Sequence, residues 1–535
     1  MQRRPNVLVI MTDEERYPPV YETDEIARYR REQLPGQQEI RARSVEFHRH
    51  YTASTACVPS RASLFTGHYP TLHGVRATDG AAKSARDPAM FWLDPNTVPT
   101  MGHYFRAAGY RTFYHGKWHV SHADLMTPDT QTPIASSDAA GKVVEPNHTL
   151  YKNANRLASY GFDGWIGPDP HGAAQSNCGL LRDPLFADQV VARLDELHAS
   201  TDETPWLLVA PLVNPHDIVL FGILWRSWGY VFDDETVPEI PEPPTQDESL
   251  RSKPSCQADY VEKYGSVFLP QPQLPLFRRF YYYLHKLVDK EVRRIYQKLR
   301  ASRFGDNTIV LYTSDHGDML GAHGGMHQKW HNAYDEAIRV PLLISAPGLE
   351  PGRQIQQPTS HVDLLPTLLG LAGIDADAVR KALASTHTEA QPLVGRDLSR
   401  HLQNGNIPDE PIYFITEDEV SEGLDQTTVT GRSYEAVAEP AKVEAIITRL
   451  DDGSGGRLWK YARSYKNSLI GDPTTKAEER DKSEYELYDL DADPTEKNNL
   501  AHFGHKTRDS RAAEDKLESL LAEVRERKAL HPQRR

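Results

Sequence analysis

"NVLVIMTDEE", Asn6–Glu15, is an apolar run closed by a threonine and three carboxylates. A strand covered on both faces reads as a continuous apolar run, whereas a half-exposed strand alternates. The stretch therefore predicts a buried strand whose carboxyl end delivers Asp13 and Glu14. The same scheme returns in "YRTFYHGKWH" (Tyr110–His119), "WLLVAPLVNPHD" (Trp206–Asp217) and "TIVLYTSDHGD" (Thr308–Asp318). "PLLISAPG" (Pro341–Gly348) adds a further apolar strand. Helical patterns lie between them. One is "TVPTMGHYFRAAG" (Thr97–Gly109), and the strongest is Leu276–Ser302, with Phe277, Phe280, Tyr281, Leu284, Leu287, Val288, Val292, Ile295 and Leu299 on one face. His361–Ile374 forms another. Short buried strands alternating with helices predict an α/β fold, a large mostly parallel sheet sandwiched by helices.

The 535 residues carry a net charge of −14, which argues against a nucleic-acid partner. A local cluster of cations can still bind an anion. The N-terminal apolar run is too short for a secretory signal, and no run reaches the ~18 residues of a membrane span. Cys57, Cys178 and Cys256 are an odd, sparse set, so no disulfide scaffold is expected and a cytoplasmic enzyme is the default.

The Pro-rich, acidic stretch between Val219 and Leu274 predicts an excursion over the surface. Near "NGNIPDEPIYFITED" (Asn404–Asp418) the composition changes. This divides the chain into a catalytic domain, 1–404, and a smaller C-terminal α+β subdomain, 405–535, with strands of less buried pattern. Its tail from Lys506 predicts a charged helix that docks or serves a homo-oligomer. Tyr104, Trp118, Trp225 and Trp228 read as core packing before they read as a ligand pocket.

In open α/β sheets the active site lies beyond the carboxyl ends of the strands. The ends here offer Asp13 and Glu14; Lys117 and His119; His216; and Asp315 and His316, the last followed by a His-rich run to Lys329. Any one of these alone reads as a helix cap or a satisfied polar residue. Their coincidence at successive strand ends points to a site. Carboxylates from two ends with an imidazole suit one divalent cation. Oxygen ligands favour Ca²⁺, Mg²⁺ or Mn²⁺, and the imidazole tilts the choice toward Mn²⁺. "CVPSRASLFTG" (Cys57–Gly67) completes the picture. Pro59 suits the first helical position, which sets Cys57 at the positive end of a helix, where an anionic nucleophile is favoured, with Arg61 one turn on.

"C-V-P-S-R-A-S-L-F-T-G" resembles the signature of the type I sulfatases of the alkaline phosphatase superfamily. "NVLVIMTDEE", "GKWH", "NPHD", "SDHGDMLGAHG" and "YELYDLDADPTEKNNLA" (Tyr485–Ala501) extend the resemblance along nearly the whole chain. It implies an alkaline phosphatase-like fold and hydrolysis of small-molecule sulfate esters. It further implies that a maturation enzyme converts Cys57 to formylglycine, with Asp13, Glu14, Asp315, His316 and the oxygen at position 57 around one divalent cation, Ca²⁺ or Mn²⁺ before Mg²⁺. By the same resemblance Arg61 and Lys117 stabilise the nucleophile and the sulfate oxygens. His119 takes a proton from the second hydroxyl, and His216 and Lys329 contact the sulfate. His323 and His327 are further candidates. Two departures stand out: Glu14 occupies the position of the family's second aspartate, and His316 follows Asp315 where many relatives have asparagine. The Asp-His form resembles the branch of choline sulfatases and phosphonate monoester hydrolases, so phosphonate monoester or phosphodiester hydrolysis is the alternative activity. A redox thiol enzyme fits poorly, because no C-x-x-C occurs.

Overall fold

A computed structural model describes residues 3–533, except 81–82, 171–173, 269–273, 406, 424–425, 428–430, 452–455 and 471–481. Its main sheet contains β1 (Asn6–Asp13), β2 (Val45–Tyr51), β3 (Arg111–Tyr114), β4 (Trp206–Pro215), β5 (Thr308–Ser314), β6 (Arg339–Ser345), β7 (Gln354–Ile355) and β8 (Thr359–Ser360). Their order is β3-β4-β1-β5-β6-β2-β7, with β8 beside β2. β3, β4, β1 and β5 are mutually parallel, and β6 runs against both its neighbours.

The continuous apolar run of β1 has the cause expected of it. Val7, Val9 and Met11 face one core layer, with Val58, Ala62 and Phe65 of the Cys57–Thr66 helix and Leu365 and Leu368 of the Leu364–Leu371 helix. Leu8 and Ile10 face the other, with Phe186, Val190 and Leu194 of the Gly179–Ala199 helix and Val288, Val292 and Ile295 of the Leu274–Ala301 helix. Register sets the site. Thr12 pairs with Ser314 and Asp13 with Pro215, so the residues that follow β1, β4 and β5 emerge level with one another.

A second sheet, antiparallel throughout, has the order β12-β11-β10-β9: β9 (Ile412–Thr416), β10 (Lys442–Leu450), β11 (Arg457–Tyr465) and β12 (Glu484–Asp489). These strands are not the less buried set that the sequence suggests. Tyr413, Ile415, Ile446 and Tyr461 pack under Leu517, Leu521 and Val524 of the Arg508–Lys528 helix. Ile412, Phe414, Val443 and Ala445 pack against Tyr334, Ala337 and Tyr260 of the main body. Charged residues on these strands are buried in pairs; Glu444 holds both Arg463 and Arg525. Such pairing disguises burial in a polar sequence.

Within Val219–Leu274, residues 229–249 form the expected excursion, irregular and mostly exposed or half-buried, but it is pinned to the body along its length. Leu220, Phe221, Leu224, Val237 and Ile240 pack onto Phe277, Phe280 and Leu284, and Ser255–Val267 forms a helix beneath the second sheet. Its buried residues are irregularly spaced, so no periodicity betrays them. Tyr104 and Trp118 are core residues. Trp228 packs partly buried against the Phe221 cluster, and the side chain of Trp225 lies outside the described ones. Among the described residues no helix is long and apolar enough to cross a membrane, and the three cysteines are free and buried.

Candidate active site

Every polar side chain expected at the four strand ends lies at one end of the parallel strands. Asp13 and Asp315, each fully buried, converge from β1 and β5. Arg61 joins them: its Nη2 donates to Asp13 Oδ2 and its Nε to Asp315 Oδ2, both at 2.8 Å, and its Nη1 donates to Lys117 O at 2.8 Å. The guanidinium thereby ties the two carboxylates together. Lys117 Nζ lies 2.6 Å from Asp13 Oδ2. Lys117 reaches there because residue 116 is glycine: a Cβ at Gly116 would stand 1.9 Å from Pro211 O on β4.

Cys57 is itself the first residue of its helix, with Pro59 two residues inside. Its Sγ lies 3.1 Å from His316 Nε2 and 3.7 Å from Asp13 Oδ1. His316 Nδ1 sits 3.0 Å from Gly317 O, a contact that places the proton on Nδ1 and turns the Nε2 lone pair toward Cys57. Asp13, Cys57, Asp315 and His316 thus bring four ligand atoms within 4.8 Å of one another. Glu14 is not among them. Its backbone is left-handed (φ 70°), and its carboxylate turns toward Lys329 Nζ, 3.2 Å away. It gathers instead with Asp13 and His216, again within 4.8 Å. His216 therefore faces the carboxylates.

The charges fit a cation. Burial would raise the Asp13 carboxyl, but Lys117 and Arg61 outweigh it and hold it well below the usual range. Burial and the charge of Asp13 push Asp315 up to about 6. Burial also raises Glu14 well above the usual range, against the pull of Lys329. Neither Glu14 oxygen has an aligned hydrogen-bond donor, a condition that costs free energy in a buried carboxylate and that a cation relieves. Burial, reinforced by Lys329 at His316 and by Lys117 at His216, keeps both imidazoles well below their ordinary value and hence neutral, the form that ligates metals. Burial and then Asp13 raise the Cys57 thiol, so the helix terminus does not make it a thiolate.

His119, two residues after Lys117, has a left-handed backbone (φ 51°), and its Nε2 is 2.6 Å from Asp79 Oδ1. Asp169 accepts from the backbone N–H of Trp118 (2.7 Å) and of His119 (3.0 Å), fixing that turn. His323 lies elsewhere: it stacks on Tyr334 and its Nδ1 bonds Glu248, in the layer beneath the second sheet. His327 packs against the rings of Tyr264 and Phe277.

Sequence reasoning missed Asp79, Asp169 and Tyr281. Tyr281 Oη accepts from Arg16 N (3.0 Å) and donates to Glu14 O (2.6 Å), clamping the strained turn that carries the β1 carboxylates. Replacing Tyr281 by Phe leaves both backbone groups without that partner. The expected cost is about 2 kcal/mol of stability, with faster amide exchange confined to residues 13–16; hydrogen-exchange mass spectrometry checks it.

A sulfatase family model matches residues 5–374. The chain is 27% identical over 546 residues to a choline-sulfatase of Rhizobium meliloti (strain 1021), covering 98% of this chain and 90% of that one. Among solved structures, a 2-O GAG sulfatase superposes with a TM-score of 0.64 at 21% identity, over 98% of this chain and 93% of the other. The phosphonate monoester hydrolase SpPMH from Silicibacter pomeroyi superposes with 0.62 at 20%, over 98% and 96%. At such identities the two structures speak to the fold.

Proposed function

The chain belongs to the sulfatase family and is a sulfuric ester hydrolase, and from that premise we propose how its buried centre works. Cys57 is converted to formylglycine by a maturation enzyme, and the hydrated aldehyde is the nucleophile. One divalent cation, Ca²⁺ or Mn²⁺, would be held by Asp13, Asp315, His316 and the oxygen at position 57, with Glu14 and His216 beside Asp13. When bound it supplies positive charge that lowers the pKa of the hydroxyl next to it. The observation that carries this reading is the convergence of Asp13, Cys57, Asp315 and His316.

One hydroxyl at position 57 attacks sulfur: an O–S bond forms, the S–O bond to the ester oxygen breaks, and that oxygen leaves as the alcohol with the proton the attacking hydroxyl gives up. Lys117 and Lys329 supply fixed positive charge for the sulfate oxygens in a water-poor site. His119, oriented by Asp79, then takes the proton of the second hydroxyl. The C–O bond to the sulfated oxygen breaks, sulfate departs and the aldehyde returns, ready for rehydration. Two easier steps replace one hard one.

A second reading, phosphonate monoester hydrolysis, is favoured by the Asp315–His316 pair. Against it stands the cationic pair of "GKWH": by family resemblance, phosphonate specialists replace Lys117 and His119 with neutral hydroxyl residues. Aryl sulfate monoesters are expected to show higher kcat/KM than phosphonate monoesters in a parallel assay. Lys117→Ala should slow the first transfer by ~10²-fold or more, and His119→Ala should give a burst followed by a stall. A clear phosphonate preference with a silent His119→Ala would reverse the ranking.

A further inference from the structure

The last residues of β9 run alongside the segment that leads into Cys57. Ile415 N donates to Ala53 O (3.1 Å), and Thr416 Oγ1 donates to Thr55 O (2.6 Å). Two residues on, Asp418 is 3% exposed. Its Oδ2 accepts from Thr78 N at 3.1 Å and from Trp330 Nε1 at 3.0 Å, while its Oδ1 has no hydrogen-bond partner.

Those two donors belong to different walls of the centre. Thr78 Oγ1 accepts from Val58 N (3.3 Å). It thereby satisfies a first-turn amide of the Cys57 helix, whose N-cap, Ala56, offers no side-chain acceptor. The next residue, Asp79, is the partner of His119. On the other wall, Lys329 Nζ lies 5.0 Å from the centre of the Trp330 ring and faces Glu14. A single carboxylate oxygen from the segment that follows β9 thus joins the wall bearing the nucleophile and His119 to the wall bearing Lys329.

We propose that Asp418 is a positioning residue for sulfate-ester hydrolysis, setting the Cys57 helix start and Lys329 in register through its hydrogen bonds to Thr78 and Trp330. The proposal rests on the reading in which position 57 carries the nucleophile and Lys329 holds the sulfate. Hydrogen bonding, not charge, is the property used. An asparagine oxygen accepts the same two bonds, whereas alanine accepts none.

Wild type, Asp418→Ala and Asp418→Asn are compared on an aryl sulfate, with the formylglycine content of each measured by mass spectrometry and rates corrected for it. Asp418→Ala is expected to lower kcat about 10- to 100-fold with little change in KM, the size of effect that ångström-scale misplacement produces. Asp418→Asn is expected to recover most of that loss. Amide exchange should rise in Asp418→Ala at residues 57–61 and 327–331 and stay unchanged along β10 and β11. The proposal is overturned if Asp418→Asn is as impaired as Asp418→Ala, since the charge would then act directly. It is equally overturned if exchange rises across the whole second sheet, or if Asp418→Ala matches wild type. A wild type inactive on all sulfate esters would sink the sulfatase reading instead, and the exchange pattern would still decide whether Asp418 ties the two walls.

Discussion

Cys57→Ala is expected to leave a folded protein whose hydrolysis of an aryl sulfate falls by about 10⁵-fold or more, the scale on which loss of a nucleophile operates. The fold should survive because the helix that begins at Cys57 is held by Val58, Ala62 and Phe65 in the core rather than by the sulfur. The loss should be near complete because Cys57 supplies the atom that stands among Asp13, Asp315 and His316. Cys57→Ser sharpens the test. Serine restores a hydroxyl at the same atom, yet it has no second hydroxyl whose deprotonation can expel sulfate. It should take up one sulfuryl group and stop. The thiol is a poor alternative nucleophile, since burial and Asp13 keep it protonated. The peptide spanning residue 57 of active enzyme should carry the aldehyde mass; active enzyme with only unmodified cysteine would refute the assignment.

Asp13→Ala is expected to abolish activity and cation binding together. Asp13 is common to both groups of converging ligands, and it neutralises Arg61 and Lys117 in a fully buried setting. Removing it leaves two buried cations short of a partner, for which about 3–5 kcal/mol of destabilisation is expected. Elemental analysis should find the divalent ion in wild type and not in the variant, and a strong chelator should inactivate wild type reversibly. A fully active protein without stoichiometric metal would sink the assignment. The same carboxylates set the pH dependence. With Asp315 pushed up to about 6 and Glu14 also raised, protons occupy the ligand oxygens of the metal-free protein as pH falls. The apparent affinity for Ca²⁺ or Mn²⁺ should therefore weaken as pH falls from 7 to 5, with the number of protons released on binding rising through that window. Titration calorimetry in buffers of different ionisation enthalpy measures both.

Much of this was legible in the chain itself. The parallel strands announce themselves because each is buried on both faces, which writes a continuous apolar run with no alternation. Their ends announce themselves because polar and charged residues placed directly after such runs have few other uses. Asp13, Cys57, Lys117, His216, Asp315 and His316 stand out by position in the sequence, and the structure brings them together. The failures follow one pattern. The anchors Leu220, Phe221, Leu224, Val237 and Ile240 and the strands of the second sheet bury residues whose spacing is irregular or whose charges are paired only after folding.

The chain's own pattern is local: it marks which segments become strands and helices, which side chains stand at their ends, and the cysteine motif at a helix start. How those ends meet is a matter of packing between elements. That packing placed β1 between β4 and β5, turned β6 against its neighbours, and swung Glu14 away from Asp315 toward Lys329 and His216. It also supplied the residues that hold the centre in shape: Asp79 for His119, Tyr281 for the Glu14 turn, and Asp418 for Thr78 and Trp330. Each of these acts across a separation of 40 to more than 260 residues. The physical reason is that local pattern records the burial of a residue's own element. A hydrogen bond between distant elements depends on register and packing, and no periodicity within either segment encodes it.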